Sequence, residues 1–504
     1  MSCSSEAVEK QGTAEEETLV MRRRRNIRRV DKGTCQRCRL AKCMFVIRSI
    51  TYCTPCFEAT VQARFLRQLY PALHSSSRLA KSSARSLHRP PRQSGNVLIA
   101  LSGGAGSMAM LDMVCRGAHV GKGDGAVIDK TKGEKETVWN RGVVVFVDFS
   151  GVVGGEEQME TMRSLAEERD LEFVGLRAED VFDAGVGSRL SGREEHQSRP
   201  DGMTVDLRDP DLPIFSTPTP STSTCTPLES LRSLVSSLPT ASRPALFSSI
   251  LSSLLELAAR SIPGISHLIL GETSTRQAQR IISGTALGRG WALPLELASS
   301  MERSRPEDAL PIMRMQPMKE LSLKEAAFLC HSRGLQTMNR RGWGGGRENK
   351  GKGGASSLEM LTEDFIAGLS VTHPATVSTI NRTGDKLVFP GYSSGTDLCP
   401  VCQMPVDPPA LEWKSRTALT HLPKTPSIDS DTSKGPDKVL APLLCYACLT
   451  TFTPELSHRN ISMEPVLLPA WIGKSVAQRR GEVGRLSMKA EIEGYLLEDD
   501  DPGS

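Results

Sequence analysis

Hydrophobic residues in the middle of the chain fall in short continuous runs that alternate with amphipathic stretches. Such runs predict buried strands at Asn96–Leu101, Val143–Phe149 and His267–Gly271, and a further strand at Leu171–Leu176. Helical periodicity marks Glu156–Asp170 and Ala245–Ser261, and a further helix is expected from about Thr275. This alternation predicts an α/β domain whose parallel sheet carries helices on both faces.

Segments rich in Pro, Ser, Gly and charged residues divide the rest of the chain. We predict a disordered acidic and basic tail at 1–33, an N-terminal cysteine module with a helix at 34–72, a linker at 73–95, the α/β domain at 96–335 with a disordered insertion at about 185–227, a Gly-rich loop and connecting segment at 336–395, a second cysteine module with an insertion at 396–455, and a C-terminal segment with an acidic tail at 456–504.

Composition narrows the class of protein. A chain of 504 residues with 31 prolines and 43 glycines predicts two or three folded units joined by irregular segments. The net charge of +4 does not by itself indicate nucleic-acid binding, although six arginines are concentrated at Arg22–Arg29. The N-terminal region has no apolar signal-peptide core, and no apolar run is long enough for a membrane span. We therefore expect a cytoplasmic protein.

Eight of the thirteen cysteines form four Cys-x-x-Cys pairs. The first two pairs are Cys35/Cys38 and Cys53/Cys56, and each pair can present two thiolates to one ion, so together they predict tetrahedral zinc coordination. A redox pair or unligated core cysteines are the alternatives, and Cys43 is a competing ligand. The run "CQRCRLAKC" also resembles the second zinc module of nuclear receptors, but no first module or recognition helix precedes it.

A second metal site is predicted from Cys399, Cys402, Cys445 and Cys448, although a 42-residue interval separates its two pairs. One or two zinc ions are therefore expected in the chain. An iron–sulfur cluster stays open as an alternative, because thiolates accept iron as well as zinc.

A candidate phosphate loop follows the first strand of the α/β domain. Ser102, Gly103, Gly104 and Ser107 form the pattern Ser-Gly-Gly-x-x-Ser between a strand and a helix. Glycines let backbone N–H groups approach an anion closely, and the positive end of the following helix favours phosphate. The pattern is neither a Walker A motif nor Gly-x-Gly-x-x-Gly.

The segment "LSGGAGSMAML" resembles the loop of PP-loop ATP pyrophosphatases, whose active members carry Ser-Gly-Gly-x-Asp-Ser. Gly106 stands where those enzymes have the Asp. At the next strand-to-helix junction, "GETSTRQAQR" places Thr275 and Arg276 at two acids of the active pattern, with Gln279 at its Glu and Arg280 at its Thr. Magnesium-dependent phosphoryl chemistry needs hard oxygen ligands. The resemblance thus implies a PP-loop fold whose site is degenerate and has no catalytic residue. Whether the loop still binds ATP is left open.

The downstream segment "PIMRMQPMKELSLKEAAFLCHSRGL" resembles the stretch that follows the ATP site in tRNA thiolases. Catalytic relatives have a cysteine farther downstream, and this chain has none in "QTMNRRGWGGG". Cys330 lies within a predicted helix, where we expect a buried structural thiol.

Taken together, "YCTPCF", "LSGG" and "LCYACLTTF" resemble the cytoplasmic tRNA 2-thiolation protein 2 family. The resemblance implies a heteromer with a catalytic PP-loop thiolase subunit that adenylates the wobble uridine of tRNA and receives sulfur from a thiocarboxylated ubiquitin-related modifier. This chain would then be a non-catalytic or co-catalytic subunit. The alternatives are a self-sufficient ATP-dependent thiolase or amidase, and a zinc-dependent scaffold without RNA contact.

Basic residues of the N-terminal module are the candidates for contact with the tRNA anticodon region. Arg37, Arg39, Lys42 and Arg48 could contact phosphates through charge-assisted hydrogen bonds. The run Arg22–Arg29 could do the same, or it could be a solvated tail or a sorting signal. Aromatic residues make up only 5% of the chain, which disfavours an independent single-strand binder.

Overall fold

A computed structural model describes the chain over residues 33–74, 95–121, 138–192, 202–217, 225–298, 300–303, 312–338, 357–389, 398–407, 410–417, 439–453 and 465–479. The run Arg22–Arg29, the greater part of the predicted linker, the Gly-rich stretch and the acidic tail lie outside these residues. The chain divides into two compact units, one ending at Val61 and the other beginning at Gln62.

The first unit is a small module built on a β-hairpin. Strands β1 (Phe45–Ile47) and β2 (Ile50–Tyr52) pair in antiparallel fashion around a two-residue turn at Arg48 and Ser49. Both turn residues have positive φ, at +49° and +70°, as a type I′ hairpin turn requires. Helix α1 (Thr54–His74) begins directly after the hairpin, and the boundary between the two units falls within it.

Nine strands belong to the second unit: β3 (Asn96–Ala100), β4 (Gly142–Asp148), β5 (Glu172–Arg177), β6 (Gly202–Val205), β7 (Ile214–Thr217), β8 (Ile265–Leu270), β9 (Ser300–Arg303), β10 (Ile312–Met315) and β11 (Val466–Leu467). Its helices are α2 (Ala105–Arg116), α3 (Ser150–Val153), α4 (Met159–Glu167), α5 (Val186–Ser191), α6 (Pro227–Ser237), α7 (Arg243–Ser261), α8 (Ser274–Ala286), α9 (Leu293–Glu296), α10 (Leu323–Ser332), α11 (Leu358–Thr372), α12 (Pro374–Gly384), α13 (Ala410–Thr417) and α14 (Tyr446–Phe452). These counts refer to the described ranges.

The main sheet has the strand order β5-β4-β3-β8-β10-β9. The first five strands are parallel, and β9 is added antiparallel at the edge. All seven residues of β4 are buried, as expected of a parallel strand covered on both faces. The predicted α/β fold class is thereby confirmed, and strands β3, β4, β5 and β8 lie where the apolar runs placed them.

The order of the strands fixes where a ligand site would lie. Chain order runs outwards from β3 to β4 and β5, then returns to the other side of β3 for β8 and β10. A sheet wound in this way opens a crevice at the carboxyl ends of the two strands where the direction reverses. Here those strands are β3 and β8, so the loops that follow them define the candidate site.

The predicted insertion at 185–227 contains ordered elements, which differs from the expected disorder. Helix α5 and strands β6 and β7 lie within it, and β6 pairs with both β7 and β11 in a second, three-stranded antiparallel sheet. Polar Pro/Ser/Thr composition concealed these strands because they are short and obtain their third partner from far along the chain. The most Ser/Thr-rich stretch, 218–224, lies outside the described residues.

The C-terminal cysteines are part of the main core rather than of a flanking module. Cys399, Cys445 and Cys448 belong to the same buried cluster as Leu98 of β3 and Leu254 of α7. The segment predicted as a connector also contains two helices, α11 and α12, which pack on α8. Within the described part of the chain, no helix combines the length and apolarity needed to cross a bilayer.

Candidate functional site

The Ser-Gly-Gly-x-x-Ser loop lies between β3 and α2, at the switch point of the sheet. Its backbone turns at Gly103, whose φ of +74° is readily adopted only by glycine. The Ser107 hydroxyl donates to the Gly104 carbonyl at 3.0 Å, and it accepts the backbone N–H of Ser102 at 3.2 Å. The four predicted loop residues therefore form one compact turn, in which Ser107 is bonded to the loop itself.

Two methionines cover the turn at Gly103. The backbone N–H of Met338 donates to the Gly103 carbonyl at 2.8 Å. A Cβ added to Gly103 would lie 3.0 Å from Cε of Met162 and 3.2 Å from Sδ of Met338. The chain's own apolar side chains thus pack against this part of the loop.

A direct backbone contact joins Gly106 to Gly271, the residue that follows β8. A Cβ added to Gly106 would lie 2.4 Å from the Gly271 carbonyl oxygen and 3.0 Å from Cγ2 of Thr273. In the reverse direction, a Cβ on Gly271 would lie 2.5 Å from the Cα of Ser107. The loops after β3 and β8 meet this closely because both residues lack a side chain. Consequently, an aspartate does not fit at position 106 in this arrangement.

The second loop uses its unusual residues to attach neighbouring helices. The Thr275 hydroxyl accepts an N–H from the first residue of α10 at 3.1 Å, and the Arg276 guanidinium lies 3.1 Å from a carboxylate of α11. Gln279 donates to the α11 backbone at 3.1 Å, and Arg280 pairs with Glu272 at 3.1 Å. Residues at the acid positions of the active PP-loop pattern, and Arg280 at its Thr position, therefore have a packing role here.

Cys35, Cys38, Cys53 and Cys56 converge in the first unit. Their sulfur atoms all lie within 4.8 Å of one another, and the Sγ atoms of Cys38 and Cys53 are 3.8 Å apart. Cys43 is outside this group. Burial raises the pKa of the Cys35 thiol, but hydrogen bonds from the backbone of Cys38 and Cys53 outweigh it and lower the pKa to about 6. The hydrogen bond with Cys53 and burial raise the pKa of the Cys56 thiol to about 12, so the group is only partly ionised in the absence of a cation.

The second group, Cys399, Cys402, Cys445 and Cys448, has the same compact arrangement. Its sulfur atoms also lie within 4.8 Å of one another, and the Sγ atoms of Cys402 and Cys445 are 3.7 Å apart. Burial opposes ionisation of Cys399, yet hydrogen bonds from the other three thiols hold its pKa well below the usual range. The structure thus brings together all eight predicted metal ligands in two sets of four.

The two sites share one local geometry. In each, the first Cys-x-x-Cys pair is a tight turn in which the residue after the second cysteine donates its N–H back to the first cysteine at 2.8 Å. That residue is Arg39 in one site and Gln403 in the other, with φ of +58° and +57°. The second pair of each site begins a helix, α1 or α14. A turn and a helix start therefore supply two thiols each.

The four basic residues of the first unit do not form a uniform set. Arg37 is used inside the module, where its Nη1 donates to the Cys56 carbonyl at 3.3 Å and contacts the Thr60 hydroxyl. Arg39, Lys42 and Arg48 are all exposed, and the left-handed conformation of Arg39 follows from the turn that holds the thiols. Arg37 is exposed as well, so all four residues stay predicted RNA contacts.

Cys330 is buried on α10, where its Sγ donates to the Ala105 carbonyl at 3.4 Å. Burial raises the pKa of this thiol to about 11, so it is not a reactive thiolate at neutral pH. No sequence pattern marks Gly271, Met162 or Met338 as site residues, because their role depends on which loops meet at the switch point.

The fold and site define a class: an α/β protein whose Ser-Gly-Gly-x-x-Ser loop lies at the switch point of a parallel sheet and lacks the acid of the active PP-loop pattern, with two four-cysteine groups that could each hold a metal ion. A family model described as cytoplasmic tRNA 2-thiolation protein 2 matches residues 357–450. The relative of that name from Drosophila persimilis is 26% identical over 371 residues, which are 71% of this chain and 78% of that protein. The Xenopus laevis protein 2-A is 26% identical over 48% of this chain and 50% of its own length. The chain is therefore similar to cytoplasmic tRNA 2-thiolation protein 2 over these segments.

One solved structure with a similar chain course is the U34-tRNA thiolase NcsA from Methanococcus maripaludis with its [4Fe-4S] cluster. The TM-score is 0.42 at 13% sequence identity, covering 73% of this chain and 95% of that chain. The family's description as cytoplasmic agrees with the expected localisation.

Proposed function

We propose that this chain is a non-catalytic subunit of a cytoplasmic complex that thiolates the wobble uridine of tRNA at the 2-position. Its partner is a PP-loop thiolase subunit that retains the acidic residues, adenylates the uridine and receives sulfur from a thiocarboxylated ubiquitin-related modifier. The similarity to cytoplasmic tRNA 2-thiolation protein 2 supports the role in tRNA 2-thiolation, and the loops of this chain support the division of labour.

The contact between Gly106 and Gly271 is the observation that carries the division of labour. An active PP-loop site needs an acid at the first position and an open crevice for phosphate and its metal ion. Here the crevice is closed at that point by backbone atoms 2.4 Å from any added Cβ. Arg276, at an acid position of the active pattern, and Arg280, at its Thr position, are cations that pair within the chain. We therefore assign adenylation to the partner.

We further propose one zinc ion at each four-cysteine site. Four thiolates bound to one ion at about 2.3 Å in a tetrahedron lie about 3.8 Å apart. The measured separations of 3.8 and 3.7 Å fit that geometry. In a multi-iron cluster each cysteine binds a different iron atom, which requires wider spacing than one shared ion. Metal analysis of the purified chain should find two zinc ions per chain without acid-labile sulfide; iron with sulfide would contradict this assignment.

Reconstitution tests the proposed function directly. We expect sulfur on tRNA when this chain, the catalytic subunit, ATP and the sulfur donor are combined, and none when either subunit is omitted. The Gly106→Asp variant alone should also show no ATP turnover, measured as AMP release, because the carboxylate has no room and the second loop lacks the acids of the active pattern. Thiolation by this chain alone would favour the self-sufficient enzyme and end the proposal.

A test of tRNA binding distinguishes two hypotheses, a subunit that binds the tRNA substrate and a scaffold without RNA contact. Replacing Arg39 and Lys42 with Ala should weaken tRNA binding by the complex. The slope of the logarithm of the binding constant against the logarithm of salt concentration should fall in magnitude by about one for each lost phosphate contact. Arg382→Ala, which removes an exposed arginine of the second unit, is the matched control. Equal binding by all variants would favour the scaffold without contact through these residues.

A further inference from the structure

A cavity of about 170 Å³ lies in the second unit beside the C-terminal cysteine site. Its walls come from α7, the turn between α8 and α9, the first turn of α11, and the segments that carry Cys402 and Cys448. The lining is largely apolar and includes Leu246, Leu287 and Phe452. The PP-loop resemblance does not involve this cavity, and the metal sites account only for its cysteines.

Three buried polar atoms at this cavity lack a hydrogen-bond partner among the described residues. They are Nε1 of Trp291, Oε2 of Glu359 and Oδ2 of Asp407. Asp407 is 2% exposed, and its other carboxylate oxygen accepts the N–H of Tyr446 at 3.1 Å. Leaving a buried donor or acceptor unpaired is costly, so three such atoms around one cavity indicate a ligand that pairs with them.

The polar atoms specify the hydrogen-bonding pattern of that ligand. Two carboxylate oxygens accept, and one indole N–H donates. Arg289 also lines the cavity, but its guanidinium is already paired with Glu296. Thiolates that hold a divalent ion keep net negative charge nearby, which disfavours an anion. The ligand should therefore be neutral or cationic, with N–H groups for both carboxylates and an acceptor for the indole.

Size and apolar walls restrict the ligand further. Cavities of about 150 Å³ accept a benzene-sized ring, so this one takes a single flat group rather than a whole nucleotide. Apolar walls that flank a flat ring, with polar atoms at its edge, are how proteins hold an unstacked base. We propose that this cavity binds one nucleobase with an exocyclic amino group, namely guanine, cytosine or adenine. Uracil offers only one N–H and suits the cavity less well.

Which base the cavity binds and which molecule supplies that base are tested separately. That the base comes from an RNA rests on the proposed function, whereas binding of a free nucleoside does not. Titrations of the metal-loaded full chain with guanosine, cytidine, adenosine and uridine, followed by ligand-observed NMR, test the chemistry alone. We expect at least one amino-bearing nucleoside to bind about tenfold more tightly than uridine. Absence of binding, or equal binding of uridine, would overturn the proposal.

Two variants locate the site without disturbing the fold. Trp291→Phe keeps a ring but removes the N–H, and Glu359→Gln keeps the shape but replaces a carboxylate acceptor. Each variant should bind the preferred nucleoside with about tenfold lower affinity. Trp413→Phe, at a half-exposed tryptophan outside the cavity, is the control. Metal content and the thermal midpoint check folding; unchanged affinity in both cavity variants would place the nucleoside elsewhere and refute the site.

Competition then assigns the source. A single-stranded RNA loop that carries the preferred base should displace the free nucleoside from the wild-type chain, and Trp291→Phe should weaken the RNA as well. Binding of nucleoside without displacement by RNA would refute the RNA source. Displacement by RNA without any thiolation in the reconstituted complex would refute the proposed function and leave the cavity assignment supported.

Discussion

Substitution of Gly106 by alanine tests the closed crevice most directly. A glycine near the start of a helix is ordinarily improved by alanine, with a gain of about 0.4–1 kcal/mol. At this position the new methyl group would lie 2.4 Å from the Gly271 carbonyl oxygen, about 1 Å inside normal contact. Forcing one extra carbon into a packed interior costs about 1–3 kcal/mol. The expected sign is therefore a net loss of stability.

The assay is thermal unfolding of Gly106→Ala beside Gly104→Ala. A Cβ on Gly104 meets only the Ser102 hydroxyl oxygen, at 3.6 Å, and Gly104 has an ordinary extended backbone with φ of −73°. Gly104→Ala should thus leave the midpoint unchanged or slightly higher. Gly106→Ala should lower it by about 2–4 °C for each kcal/mol lost. Equal midpoints for the two variants would show that the loops do not meet as described and would refute the reasoning.

The metal sites and a buried histidine give further predictions. The double variant Cys53→Ser with Cys56→Ser should lose one metal ion and disorder only the first unit. The double variant Cys445→Ser with Cys448→Ser should lose one metal ion and also destabilise the main core, because its cysteines lie in that core. Metal analysis and amide hydrogen exchange measure both effects, and equal protection of main-core amides in the two variants would contradict the placement of the C-terminal cysteines in the core. Burial lowers the pKa of His267 to about 4, so from pH 6.5 down to 4 the unfolded chain binds a proton that the folded chain does not. The free energy of unfolding should fall by about 3 kcal/mol over that window, and His267→Gln should lose this pH dependence; an unchanged slope in the variant would rule out His267 as its source.

Local patterns were sufficient for the elements whose partners lie nearby. Continuous apolar runs predicted β3, β4, β5 and β8, and cysteine spacing predicted both ligand sets. The short strands β6 and β7 escaped because their pairing with β11 joins residues far apart in sequence, which no local pattern records. Helices α11 and α12 escaped because a Gly-rich stretch precedes them and their packing on α8 is a tertiary feature.

In the candidate site, too, some features can be predicted from local sequence and others depend on contacts between distant residues. The sequence shows that Gly106 stands where active PP-loop enzymes have an Asp, and this alone predicts the loss of phosphoryl chemistry. The steric reason for it depends on Gly271, which is 165 positions away in the chain. Similarly, Trp291, Glu359 and Asp407 carry no common motif, and only folding brings their unpaired polar atoms to one cavity.

The placement of the C-terminal cysteines has a consequence for how the protein is made. The buried cluster that includes Leu98 is closed by Cys399, Cys445, Cys448 and, later still, Ile472. A nascent chain must therefore hold the sheet partly uncovered until late in translation, and final closure would wait on metal if these cysteines hold the proposed zinc ion. In that case a chain that lacks zinc would keep apolar surface of the main core exposed, and the yield of folded chain would depend on the zinc available during its synthesis.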